Sequence, residues 1–169
     1  MIVISDTSPL ITFWGIGHLD VLASLYGEVV IPCEVEAELR TEQHSDSAEA
    51  IFVACRGWLK VMSPQHLATV QGLDPGETAA ITLAKELGAD LLIIDEKLGR
   101  KVANCESVPV IGTIGVLIEA AKAGLIDLTQ SFERIKKIKF RISHEFLAAR
   151  LADFNRQQRD GSDGKLSAD

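Results

Sequence analysis

The chain has 169 residues, a formal net charge of −7, and 47% hydrophobic residues. This length is typical of one domain, and the hydrophobic content excludes disorder for most of the chain. The longest apolar stretches are too short to span a bilayer, and the N-terminus has no basic region ahead of an apolar one. We therefore expect neither a membrane span nor an export signal.

The cysteine content indicates a reducing compartment. The three cysteines are an odd number and include no Cys-x-x-Cys pair, which argues against a disulfide framework and against a zinc site. The histidines show no metal-ligand spacing either. A cytoplasmic location fits these features.

The negative net charge by itself argues against a nucleic-acid-binding protein. An acidic protein can still act on nucleic acid if its carboxylates are concentrated where divalent cations neutralise them. The positions of the acidic residues along the chain therefore carry the functional information.

Aliphatic runs alternate with helical patterns along the chain. The runs cover residues 2–4, 28–31, 91–94 and 108–111. Such runs without polar alternation are typical of strands buried on both faces of a parallel sheet. Apolar residues at helical spacing predict helices over 76–87 and 114–123, the second ending at Gly124. The alternation predicts a three-layer α/β/α sandwich with a central, mostly parallel sheet.

The domain organisation follows from the same patterns. Residues 1–155 carry the strand and helix patterns and are predicted to form one domain. Residues 156–169 are polar and contain glycine, so we predict a disordered C-terminal tail there.

Two aspartates follow predicted strands. Asp6 comes after the first run and Asp95 after the third. The carboxyl ends of parallel strands lie on one edge of the sheet, so the two side chains are expected to meet there. The structural alternatives are helix caps. Asp6 would lie just outside a helix capped by Ser8, and Asp95 would cap the helix running towards Asn104.

Two glutamates and a threonine belong to predicted helices. Glu38 lies beside the buried face of its helix, either with a partner or reaching to water at the edge of that face. Glu77 completes a capping box with Asp74, and the first turn of that helix also projects into the crevice. Thr113 either caps the helix beginning at residue 114 or orients a metal-bound water or a neighbouring carboxylate.

Together these residues favour a metal-dependent reaction. Carboxylates a few ångströms apart raise each other's pKa values and cannot all ionise unaided. An all-oxygen ligand set suits Mg²⁺ or Mn²⁺ rather than zinc. Two such cations about 4 Å apart would activate a water and stabilise the leaving oxygen of a phosphodiester. No Gly-rich loop followed by Lys-Ser or Lys-Thr is present, which excludes a P-loop NTPase.

At this point the motifs resemble a known family. The sequence Asp-Thr-Ser-Pro-Leu-Ile at Asp6 resembles the opening of PIN domains, the nuclease fold of VapC-type toxins. The combination of motifs over residues 1 to about 155 resembles a prokaryotic PIN-like subfamily of poorly defined function. The other motifs are Pro32-x-x-Val35-x-x-Glu38-Leu39, Gly76-Glu77-x-x-Ala80-Ile81-x-Leu83-Ala84, Ile94-Asp95-x-x-x-Gly99-Arg100-x-x-Ala103 and Gly112-Thr113.

The resemblance implies a parallel sheet with helices on both sides. It also implies cleavage of single-stranded RNA with Mg²⁺ or Mn²⁺, and frequent pairing with an antitoxin. The acidic positions of the family, which are its metal-binding and catalytic residues, match Asp6, Glu38, Glu77 and Asp95. Thr113 matches the hydroxyl position after the last strand.

The chain departs from the family pattern at two positions. Ile93 stands where many PIN domains have threonine, and Lys97 stands where many have a further aspartate. Glu96 is a candidate substitute for that aspartate. The departures put a second metal ion in doubt, so one tightly bound cation is an alternative to two.

Three further residues are expected to contact substrate. Arg100 and Lys101 lie just past Asp95, and Ser8 lies beside Asp6. The longer basic stretch, from Arg134 to Arg141, is interpreted as a solvated face.

Two other functions compete with a ribonuclease. A magnesium-dependent aspartyl-phosphate phosphotransfer domain also gathers acids at strand ends, but it needs a lysine near the end of a later strand, and none follows Ile111. A PIN-fold interaction module without catalytic activity is the second. The four intact acids argue against it, while Ile93 and Lys97 keep it open.

PIN-like proteins commonly form dimers. The apolar faces of residues 47–55 and 144–154 are the candidate interfaces for a homodimer of this chain.

Overall fold

The central sheet of the computed structural model has five parallel strands in the order β3-β2-β1-β4-β5. The structure describes residues 1–41, 45–66 and 70–163. The strands are β1 (Val3–Ser5), β2 (Val29–Pro32), β3 (Leu59–Met62), β4 (Leu91–Ile93) and β5 (Val110–Ile111). The predicted runs therefore contain β4 and β5 entirely, and β1 and β2 except for the last residue of each strand.

Helices lie between the strands in the predicted three-layer α/β/α arrangement, and further helices follow the last strand. They are α1 (Thr7–Gly15), α2 (Asp20–Tyr26), α3 (Cys33–Leu39), α4 (Ser45–Ala54), α5 (Pro75–Leu87), α6 (Lys97–Cys105), α7 (Thr113–Lys122), α8 (Leu128–Ile135) and α9 (His144–Asp163). The chain divides into two compact units, Met1–Val116 and Leu117–Asp169. The sequence pattern predicts one domain over residues 1–155. The first unit contains the whole sheet.

The core of the first unit is formed by strands that are buried on both faces. All residues of β1 and β2 are buried, as the continuous aliphatic runs predict. Helix α5 packs on β1, β2 and β4 through a face that includes Ala80, Leu83 and Ala84. Each fully buried leucine or isoleucine contributes about 1.5–3 kcal/mol relative to an exposed one.

Strand β3 lies outside the strands predicted from the sequence. It forms the edge of the sheet beside β2, and three of its four residues are exposed, including Val61 and Met62. An edge strand with one charged and two exposed apolar residues has neither the buried run nor the clean alternation by which a strand is predicted. Pairing with β2 determines its conformation.

The second unit contains α8 and α9, which pack against each other. Helix α9 continues to Asp163, so the part of the predicted tail from 156 to 163 is helical, and residues 164–169 lie outside the described residues. Arginine and glutamine are good helix formers, and Arg156 donates to Asp153 one turn earlier. Local propensity thus extends the helix beyond the last apolar residue.

In the part of the chain that the structure describes, no helix combines the length and the apolar character needed to cross a bilayer.

Candidate active site

The carboxyl ends of β1 and β4 form the centre of the site. The two strands are neighbours in parallel register, with Ser5 opposite Ile93. The amide of Asp6 donates to the carbonyl of Ile93 at 3.0 Å, which ties the two strand ends together. Asp6 and Asp95 therefore lie at the same edge of adjacent strands, as the topology predicts.

Asp6 is buried and incompletely paired. The expected cap of α1 is Ser8, but the helix begins at Thr7 and Asp6 is its N-cap residue, although the Asp6 side chain makes no capping hydrogen bond. Only 3% of the residue is exposed, and its Oδ1 atom has no hydrogen-bond partner. A buried carboxylate oxygen without a partner costs free energy unless a ligand satisfies it. Helix capping does not explain this aspartate.

The surroundings of Asp6 disfavour its charge. Burial raises the pKa of Asp6 from the ordinary 3.8 to about 7. The backbone of Thr7 offsets part of this rise. Negative neighbours increase it further, namely Asp74, Glu77 and Glu38. A positive charge nearby would therefore stabilise the ionised form of Asp6.

The Glu38 carboxylate is held by two partners from other elements. Thr7 Oγ1 donates to Oε2 at 2.6 Å, and the amide of Gly76 donates to Oε1 at 2.8 Å. A Cβ atom at Gly76 would lie 2.5 Å from both carboxylate oxygens, so only glycine leaves room for this contact. Glu38 therefore does not simply reach to water. The sequence alone predicts neither partner.

We expect the close contact between Gly76 and the Glu38 carboxylate to affect the free energy of unfolding. Alanine in place of a glycine in a helix normally stabilises by about 0.5–1 kcal/mol. Gly76→Ala should instead destabilise by about 1 kcal/mol, because the Glu38 carboxylate must move away from the new methyl group and loses its hydrogen bond to the amide of residue 76. In a Glu38→Ala background the overlap is gone, so the same substitution should be neutral or stabilising. Urea unfolding of the two singles and the double measures this coupling. An equal cost in both backgrounds would contradict it.

Glu77 forms the predicted capping box with Asp74. Its amide donates to Asp74 Oδ1 at 2.7 Å, and its Oε2 accepts from the amide of Asp74 at 3.1 Å. Burial raises the pKa of Glu77, the capping bond lowers it in part, and nearby acids raise it again. Glu77 is only 7% exposed. Its capping role is thus established, and its electrostatic coupling to Asp74 and Glu38 places it in the acidic group.

Asp95 is oriented by Thr113, the first residue of α7. Thr113 donates its amide to Oδ1 at 2.8 Å and its hydroxyl to Oδ2 at 2.6 Å. Burial raises the pKa of Asp95, and the Thr113 hydrogen bonds and the Arg100 charge lower it in part. The N-cap of α6 is Glu96, so the interpretation of Asp95 as that cap is wrong. The predicted contact of the Thr113 hydroxyl with a neighbouring carboxylate is present.

The predicted acids thus fall into two sets at one sheet edge. Asp6, Glu38 and Glu77 share an electrostatic environment to which Asp74 also belongs. Asp95 interacts instead with Thr113 and Arg100. Among the residues that the structure describes, no three His, Cys, Asp or Glu side chains are arranged as ready metal ligands.

A divalent cation nevertheless fits the chemistry of these donors. The unpartnered Oδ1 of Asp6 is an orphaned anionic oxygen in an acidic environment. Each carboxylate oxygen can accept more than one bond, so the hydrogen bonds at Glu38 and Asp95 leave capacity for a cation. All donors are hard oxygens, which Mg²⁺ and Mn²⁺ prefer.

The residues expected to contact substrate differ in their exposure. Ser8 and Lys101 are exposed, and Arg100 is partly buried. The guanidinium group of Arg100 lies close to Gly112, where a Cβ would come within 2.8 Å of Nη1 and 3.1 Å of Asp95 Oδ1. Gly112 thus allows Arg100 and Asp95 to approach from the same side.

Sequence reasoning misses three contributors to this site. Thr7 could have been found as a hydroxyl directly beside Asp6. Gly76 could have been found as a small residue before a candidate acid. Asp74 is predicted only as a cap, although its charge also acts on Asp6.

A family model described as a PIN domain matches residues 2–156. The chain belongs to the PIN domain family. The PIN fold is a nuclease-type fold, and PIN domains are generally hydrolases that act on nucleic acid and typically use divalent metal ions. This agrees with the acidic sheet edge described above.

A solved structure supports the PIN fold. The chain is similar to a PilT N-terminus domain protein from the hyperthermophilic archaeon Sulfolobus solfataricus P2, with a TM-score of 0.53 and 23% sequence identity. The similarity covers 71% of this chain and 93% of that one. At this identity the likeness shows the fold alone. Among curated proteins, none matches the chain.

Proposed function

We propose that this PIN domain is an endoribonuclease that cleaves single-stranded RNA with Mg²⁺ or Mn²⁺. The observation that carries the proposal is Asp6, a buried aspartate at a strand end with one carboxylate oxygen unpartnered and its pKa raised to about 7. Helix capping and ion pairing, the usual structural roles of an aspartate, are absent at this residue in the described part of the chain.

We assign the cation to the four acids predicted from the sequence. Asp6 and Asp95 would hold it from rigid strand ends, and Glu38 and Glu77 would complete the shell. When bound, the cation supplies positive charge that activates a water molecule and stabilises negative charge on the phosphodiester. Thr113 fixes the orientation of Asp95, and Thr7 with Gly76 fixes that of Glu38. Such partners commonly affect metal affinity or activity by about 10–100-fold.

Burial of the acids favours a single strand as the substrate. Asp6 and Glu77 expose only 3% and 7% of their surfaces. A phosphodiester reaches them more easily on a flexible extended strand than on a duplex, whose backbone is held at a fixed radius. We assign Ser8, Arg100 and Lys101, which are exposed or partly exposed, to the substrate.

The direct test measures hydrolysis of a single-stranded RNA and of its duplex. We expect cleavage of the single strand with Mg²⁺ or Mn²⁺, little cleavage of the duplex, and none with EDTA. Glu77→Gln should lower the rate by about 10–100-fold while the unfolding midpoint is retained, because glutamine still serves in the capping box. Asp74→Asn, which also preserves the cap, is the matched control for stability. If Glu77→Gln lowers the unfolding midpoint but leaves the specific rate of the folded protein unchanged, Glu77 is a cap alone.

Two partner proposals accompany the nuclease. As a toxin of a toxin–antitoxin pair, the chain would be encoded beside a small, basic, DNA-binding-type protein. For the homodimer, Ile51 of α4 and Leu147 of α9 are buried within the single chain, whereas Val53 and Phe146 are exposed. Dimerisation through these helices stays a prediction, which sedimentation at micromolar concentration would test.

A further inference from the structure

Helix α6 carries a row of polar side chains beside Asp95. They line an open cavity of about 600 Å³. Its lining residues are Asp95, Lys97, Arg100, Lys101, Asn104 and Cys105. On the opposite side of the helix, Gly99 and Ala103 are buried. A Cβ at Gly99 would lie 2.6 Å from Ile94 Cδ1, so the helix sits close against the sheet and its polar face has a fixed position relative to Asp95.

The cations of this row are not neutralised by close ion pairs. Lys97 and Lys101 form no ion pair within the described parts of the chain, and Arg100 acts on Asp95 only through its charge, without a salt bridge. Several other cations do form ion pairs, for example Lys85 with Glu106 at 2.5 Å and Lys136 with Glu133 at 2.5 Å. In a protein with a net charge of −7, three positive side chains on one helix face form a local binding surface for an anion.

The spacing of the row suits a chain of anions. Lys97, Arg100, Lys101 and Asn104 follow one another at helical intervals along one face. From the first to the last the row extends roughly 10 Å along the helix axis. A strand stacked as in a duplex advances about 3.4 Å per nucleotide and an extended strand advances further, so the row covers at most about three nucleotides. Lysine and arginine contact phosphates, and an asparagine amide can donate to a phosphate oxygen or a sugar.

We propose that this face of α6 is a phosphate track, which carries the RNA strand away from the cleavage site along the helix towards its C-terminal end at Cys105. The proposal rests on the proposed nuclease function for the identity of its ligand, and it adds Lys97 and Asn104 to the substrate contacts. Lys97, which replaces an acid of the family pattern, then acts as a substrate contact in this chain. The residues of the track contact the RNA backbone and not the bases, so they contribute affinity for RNA without sequence preference.

Binding without cleavage tests the track independently of the nuclease. Fluorescence anisotropy with a labelled single-stranded RNA in EDTA gives the dissociation constant over a range of salt concentrations. The Lys97→Ala/Lys101→Ala double variant should bind several-fold more weakly, and its salt slope should fall by about 0.7 for each phosphate that the protein no longer neutralises. Both side chains are exposed, so thermal melting should not change. Lys60→Ala removes an exposed cation from β3 at the opposite sheet edge and should leave the slope unchanged. An unchanged slope in the double variant would overturn the track.

The direction of the strand is tested by cysteine protection. Cys105 is exposed and lines the cavity, whereas Cys33 begins α3 on the other side of β1. Saturating RNA in EDTA should slow alkylation of Cys105 several-fold, as measured by peptide mass spectrometry. Protection of Cys33 without protection of Cys105 would place the strand along α3 and overturn the proposal. RNA that binds with this pattern but is never cut with Mg²⁺ or Mn²⁺ would leave the track intact and reject the nuclease.

Discussion

Asp6→Asn is expected to lower the rate of RNA hydrolysis by at least about 100-fold with either cation, because it removes the charge of the residue assigned to the centre of the metal site. Asparagine keeps the size of the side chain. The amide of residue 6 still donates to Ile93, so the junction of β1 and β4 is preserved. The loss should therefore be one of rate and not of fold.

A matched control isolates the charge of Asp6 from charge in general. Asp20→Asn makes the same substitution at an exposed position in the first turn of α2, and it should leave the rate unchanged. Both variants are purified alongside the parent and assayed at one metal concentration. If Asp6→Asn cleaves RNA as fast as the parent, the nuclease assignment fails and the activity comes from a contaminant.

The sequence predicts the parts of the fold that are buried. The strands β1, β2 and β4 belong to aliphatic runs and are largely buried, and β5 belongs to such a run although it is half-buried. The capping box of α5 is a local signal that spans four residues, from Asp74 to Glu77. Strand β3 and the C-terminal end of α9 are not predicted from the sequence, and one reason applies to both. Their residues are largely exposed, so their conformation follows from an edge pairing or from helix propensity and not from an apolar pattern.

Part of the candidate site can likewise be predicted from the sequence, and part of it cannot. The sheet edge shared by Asp6 and Asp95 follows from topology, and the contact between Thr113 and Asp95 follows from the placement of a hydroxyl after the last strand. The two hydrogen-bond partners of Glu38 cannot be predicted from local sequence, because they lie 31 and 38 positions away. The contact with Gly76 also depends on the absence of a Cβ atom there. Contacts of that kind are visible only when the elements are packed.

The second large effect concerns the dependence of stability on pH without metal. Asp6 has a pKa of about 7 in the folded chain against the ordinary 3.8, so the folded chain binds the proton more tightly than the unfolded chain does. Stability is therefore highest while Asp6 is protonated, and it falls as the pH rises between the two values, by about 1.4 kcal/mol per pH unit. Between about pH 5 and about pH 8 the loss attributable to Asp6 is about 2–3 kcal/mol.

The difference between the parent and Asp6→Asn measures this contribution together with the coupling of Asp6 to its acidic neighbours, because the other titrating groups are present in both proteins. In EDTA, urea unfolding should show the parent losing more stability than the variant as the pH rises. At about pH 8, Mg²⁺ or Mn²⁺ at 100 times its dissociation constant should restore about 2.7 kcal/mol to the parent. The variant should gain much less, since it lacks the carboxylate that the cation neutralises. Equal pH dependence in both proteins, with no stabilisation of the parent by metal, would mean that the buried Asp6 carboxyl is not a cation ligand.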